Sequence, residues 1–190
     1  MNRVVGWLVP GVALLLGAGT AAAQEGFGID EVRGGLFFHS VDHAPADSFL
    51  GFLDTRRLED VNVELLFTPF DLGPGWIGEL RPHVGATVNL GGLESQLYAG
   101  LSWTWQVFDG PVFIEGSFGA ALHNGAADGV GYPARNLGCP ALFRESLSLG
   151  YALTEQASVM ATFEHASHAG LCGTHNEGLT NLGVRLGWTF

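Results

Sequence analysis

The sequence predicts an all-β protein: an eight-stranded antiparallel transmembrane β-barrel with a filled polar interior, preceded by a signal peptide. Three observations carry the barrel. Beyond residue 27, apolar and polar residues alternate almost throughout, the period-two pattern of strands with two unlike faces. The polar face is built of Gly and Ser plus a few charges, such as Glu115, Arg144 and Arg185, while the apolar face carries Trp near strand ends. Small polar residues suit a narrow lumen, and Trp at strand ends resembles the aromatic girdles of outer-membrane barrels. Short and long connections also alternate along the chain, as they do when turns face the periplasm and loops face outside. A soluble sandwich would alternate too. The girdle residues, and strands near the roughly 9–11 residues needed to span a bilayer, favour the barrel.

The chain opens with MNRVVGWLVPGVALLLGAGTAAAQ, which combines Arg3, an apolar run over residues 4–16 and a small-residue exit at Ala21, Ala22 and Ala23. That layout predicts a signal peptide over 1–23 and a barrel over 24–190. A first strand fits near 29–39. The second, 57–68, sets Val61, Val63, Leu65 and Phe67 against Asn62, Glu64 and Thr68. A third fits near 80–90. The fourth, 96–107, sets Leu97, Leu101, Trp103 and Trp105 against Tyr98, Ser102, Thr104 and Gln106. The fifth, 112–122, opposes Val112, Ile114, Phe118 and Leu122 to Glu115 and Ser117. The sixth fits 141–152 and the seventh 158–167. The eighth ends the sequence on Phe190, with Leu182, Val184, Leu186 and Trp188 on its apolar face. Phe37, Phe38 and the Trp residues read as barrel wall or girdle, His83 and His123 as lumen residues, and Asp47 and Ser48 as solvated loop. Eight strands close on a space that side chains fill, which argues against a pore.

The net charge of −11 and the lack of a basic stripe argue against a nucleic-acid partner. Cys139 and Cys172 fall in two long loops on the same, outer side. In an exported protein a disulfide between them is expected, worth roughly 3–4 kcal/mol by loop entropy. The cluster His165, His168, Cys172 and His175 fits no standard zinc spacing, so neither a metal nor a cofactor is expected.

The seventh strand, SVMATFEHASHAG, poses a problem. Val159, Ala161 and Phe163 share its lipid side, and by parity so do His165 and Ser167. Thr180 has the same outward parity on the eighth strand. Polar groups facing hydrocarbon are costly unless they bond to one another or do something. Glu145 shares the outward parity of Leu147 and Leu149, an awkward direction for a carboxylate outside the headgroup zone.

HASHAGL (165–171) followed by NEGLTNLGVRLG (176–187) resembles the lipid A 3-O-deacylase family of outer-membrane enzymes. That family has His-x-Ser-Asn-Ala-Gly-Leu on strand seven, then Asn-x-Gly leading into strand eight. The resemblance covers about the last fifth of the chain. It implies a hydrolase on the outer wall of the barrel, with Ser167 as nucleophile and His165 as its base. The family's acid matches Thr180 after a one-residue insertion, and its oxyanion-hole Asn matches His168, beside the backbone N–H of Gly170. Glu177 is a candidate substitute acid. The implied partner is lipid A, or lipopolysaccharide, in the outer leaflet of the bacterial outer membrane, and a homodimer is compatible with this reading. The alternative is a non-catalytic barrel with a structural or surface-interaction role.

Overall fold

The computed structural model describes residues 28–43, 55–72 and 77–190; the expected leader over 1–23, Asp47 and Ser48 lie outside them. Eight strands follow one another: β1 (Ile29–Phe38), β2 (Leu58–Phe67), β3 (Glu79–Asn89), β4 (Gln96–Gln106), β5 (Val112–His123), β6 (Ala141–Ala152), β7 (Ala157–Ser167) and β8 (Leu179–Thr189). Each pairs antiparallel with its neighbour, and β8 returns to β1 to close the barrel. Closure leaves no edge, which a sheet in hydrocarbon requires. Trp103, Trp105, Tyr151 and Trp188 crowd outward near one end, and the Trp103 and Trp105 rings stack 5.1 Å apart.

One connection departs from the expected alternation. Residues 90–95, between β3 and β4, make a short turn on the side of the long loops. Asn89 holds it tight: its Oδ1 accepts from the Leu93 N–H at 2.8 Å, and its own N–H donates to Ser95 Oγ at 3.0 Å.

The lumen is filled by paired charges. Arg33 donates to Glu31 at 2.7 Å and to Glu115 at 2.6 Å, and Arg185 donates to Glu64 at 2.7 Å. Arg144 donates to Glu164 at 2.5 Å, and its guanidinium lies 3.6 Å above the Tyr98 ring. All of these charges are buried, so each depends on its partner: removing one member of such a pair strands the other. Phe37, expected in the wall, points inward instead because it shares the parity of Glu31 and Arg33. Glycines make room for it and two other inward aromatics. Phe37 lies opposite Gly183, Tyr98 opposite Gly85, and Phe113 opposite Gly150. A Cβ at any of the three glycines would run into the facing ring.

Candidate active site

Strand register sets one row of outward side chains across four strands. Phe118 on β5 lies opposite Glu145 on β6, Glu145 opposite His165 on β7, and His165 opposite Thr180 on β8. One step toward the loop end, Ser167 lies opposite Phe143. Along β7, Glu164 and Ala166 are buried while His165 and Ser167 are only half-buried. The second pair therefore shares the outer face, as two residues apart on a pleated strand must. Phe118 and Phe143 stack beside it with ring centroids 6.0 Å apart, and Phe163 and Leu147 continue the apolar wall below.

Within this row the structure brings His165 and Thr180 into contact. The imidazole Nδ1 and the Thr180 hydroxyl are 2.8 Å apart. The hydroxyl can accept from an Nδ1–H and so leave the far nitrogen, Nε2, with its lone pair free. Gly178 packs against the other edge of the ring: a Cβ there would stand 2.7 Å from Cε1 and 3.3 Å from Nε2. Its φ of +68° also suits glycine. Just beyond Ser167 the chain turns sharply through Ala169 and Gly170, at φ of +52° and +74°.

His168 and Glu177 are turned to other partners. The His168 Nε2–H donates to the His175 carbonyl at 2.6 Å, and its Nδ1 accepts from the Cys172 N–H at 3.3 Å. The ring thus serves the loop between β7 and β8. The Glu177 carboxylate accepts from the Asn136 backbone N–H at 2.8 Å and from its amide at 3.1 Å. Those bonds hold Glu177 below the usual carboxylate range.

The two long outer loops are knitted together at the same place. A disulfide joins Cys139 to Cys172. His168 lies close to both sulfurs, but the sulfurs are bonded to each other and offer no thiolate to a metal. Buried Arg135 donates from Nε to the Gly178 carbonyl at 2.8 Å and from Nη2 to the Glu177 carbonyl at 2.7 Å. Its backbone N–H donates to Glu94, which also takes a 3.0 Å bond with His39. His39 bonds Asp60 on its other side at 2.9 Å. Burial opposes charge on the His39 ring, but the two carboxylates outweigh it and raise the ring to about 9. A continuous polar chain therefore runs from the mouth of the lumen to the backbone against which the His165 ring rests.

The family model for lipid A 3-O-deacylase (PagL) matches residues 62–189. The chain belongs to that family. A crystal structure of the outer membrane enzyme PagL superposes with a TM-score of 0.55 at 17% identity, covering 84% of this chain and 99% of that one. Neisserial surface protein A, also a crystal structure, aligns with a TM-score of 0.50 at 14% identity, over 87% of this chain and 100% of the other. At these identities the two structures speak for the fold. Among curated proteins no sequence matches. As a member of the deacylase family with the barrel fold, the protein resides in the bacterial outer membrane.

Sequence reasoning missed Arg135, which lies in a loop, where no period betrays it. Gly178 was legible as the glycine of the Asn-x-Gly motif, though not as the backbone beside the His165 ring. Glu145 stood out by its parity, but its position opposite His165 follows only from the β6–β7 register.

Proposed function

We propose that the protein is a lipid A deacylase that hydrolyses an ester-linked acyl chain, the 3-O-linked one by family, with a serine and a histidine on its lipid-facing wall. The observation that carries this reading is the outward row itself: His165 bonded to Thr180 at 2.8 Å, two residues from Ser167, in the positions the family motif assigns to a nucleophile, its base and the group that orients the base. Family membership supports the substrate class. The location suits it too, because lipid A lies in the outer leaflet and presents its esters where β7 leaves hydrocarbon.

In this mechanism the Nδ1–H of His165 donates to Thr180, and Nε2 takes the proton of Ser167 as Oγ attacks the ester carbonyl. The Gly170 N–H stabilises the oxyanion. His168 shapes that turn through its bonds to Cys172 and His175 rather than by aiming its ring at the substrate. Collapse of the tetrahedral intermediate expels the sugar hydroxyl, which leaves with the proton held by His165. Water, deprotonated by the same ring, then releases the fatty acid and restores Ser167. The expected outcome in cells is lipid A lighter by one acyl chain when the protein is expressed, and unmodified lipid A with Ser167→Ala at equal barrel abundance. Mass spectrometry of extracted lipid A reads both. Unmodified lipid A in both strains would overturn the hydrolase reading and favour a barrel without chemistry.

A further inference from the structure

Glu145 is the only acidic side chain on β5 to β8 that points out of the barrel. It is exposed, and Leu147 and Leu149 continue its face toward the membrane. A carboxylate in such a place is costly unless something nearby gains from its charge. Register supplies the candidate: Glu145 is directly opposite His165, and Thr180 is directly opposite His165 on the other side. Residues so paired in an antiparallel ladder hold their Cβ atoms roughly 4.5–5.5 Å apart.

The acid of a Ser/His/acid hydrolase has two jobs. It fixes the tautomer and direction of the imidazole, and it stabilises the imidazolium that forms when the serine proton arrives. Thr180 can do the first and, being neutral, cannot do the second. The geometry points to a divided acid: Thr180 on β8 orients the His165 ring, and Glu145 on β6 supplies the negative charge that favours its protonated form. Glu145 acts through His165 and is a positioning residue in that sense. The inference rests on the hydrolase reading and deepens it.

The other groups around the ring do not compete for this role. On its own strand His165 has Ser167, while Glu164 faces the lumen and is bonded to Arg144. From the loop before β8 comes Gly178, whose carbonyl is held by Arg135. The Glu177 carboxylate is bonded to Asn136, and His168 is bonded to the carbonyl of His175. Phe118 and Phe143 flank Glu145 and make its surroundings on the outer wall apolar. Low polarity strengthens the interaction between a carboxylate and an imidazolium a few ångströms apart.

The test uses the full-length barrel in mixed micelles, with 3-O-acylated lipid A as substrate and acyl release measured across pH. Heat-modifiable migration in electrophoresis confirms that each variant is folded. Glu145→Gln is expected to lower kcat by about 10²-fold with KM little changed. That is less than the ~10⁴-fold lost when a serine protease loses its whole acid, because Thr180 still orients the ring. Glu145→Asp should retain most of the rate. Thr180→Glu added to Glu145→Gln should restore the rate, because it returns charge to the ring from the other side. Wild-type kcat in Glu145→Gln would overturn the divided acid, as would a change in KM alone. If Ser167→Ala is dead while Glu145→Gln is unaffected, only the role of Glu145 fails. If the unmodified protein and Ser167→Ala are equally inert, the hydrolase reading fails and the divided acid falls with it.

Discussion

Glu164 and His165 are adjacent in the chain and face opposite media. The Glu164 carboxylate looks into the lumen and accepts from Arg144, Gln96, Asn181 and Thr87, between 2.5 and 3.3 Å. It is 1% exposed. His165 looks outward, bonds one hydroxyl and is only half-buried. Charge alone therefore does not mark a functional residue in this barrel. The lumen holds most of the strand ionisable groups, and they are locked into one another. The outer wall holds a few polar groups, His165, Ser167, Thr180 and Glu145 among them, in an apolar field. A polar group that has satisfied all its bonds supports the fold, whereas one left unsatisfied at a costly position points to chemistry.

That contrast can be broken from either side. The largest expected effect on stability comes from the lumen. Glu164→Gln leaves the Arg144 charge buried with a weakened partner and should cost about 3–5 kcal/mol, read as a lower urea midpoint in micelles. Acyl release per folded molecule should stay at the wild-type value. A fall in rate without a fall in stability would place Glu164 in the reaction and erase the division between the faces.

A somewhat smaller effect concerns His39 at the mouth of the lumen. Its ring is raised from an ordinary 6.5 to about 9 in the folded barrel. The charged ring therefore contributes stability that is fully present below pH 6.5 and is lost as pH rises through about 9. The shift corresponds to roughly 3 kcal/mol. Urea midpoints at pH 6 and pH 10 should differ accordingly, and His39→Gln should remove that part of the difference. An unchanged pH dependence in the variant would show that the Asp60–His39–Glu94 chain does not hold the mouth together.

Much of this was legible in the sequence, for physical reasons. A strand between lipid and a narrow lumen must alternate, so β2, β4, β5 and β8 announced themselves. The outward parity of His165, Ser167 and Thr180 followed from the same period, and the family motif gave it meaning. The two cysteines lay in loops on one side of the membrane, where a bond between them could form. Phe37 misled because an aromatic on a strand usually means wall, and only its inward parity opposite Gly183 shows that it fills the lumen. The turn at 90–95 misled because loop length follows outer or inner side only as a tendency, and Asn89 closes that turn within a few residues. Arg135 was invisible, since its role comes from loops meeting in space, and the motif marked Gly178 without showing that it packs against His165. Glu145 was half legible: parity gave its direction, while register gave its neighbour.

The most direct measurement is covalent labelling of the reconstituted barrel by an alkyl fluorophosphonate, followed by intact mass and peptide mapping. One adduct is expected, on Ser167, absent in His165→Ala. The lumen serines Ser102, Ser117, Ser146 and Ser148 should stay unlabelled. An adduct on a lumen serine, or labelling of Ser167 that does not depend on His165, would contradict the claim that the reactive groups of this protein are on its outer wall.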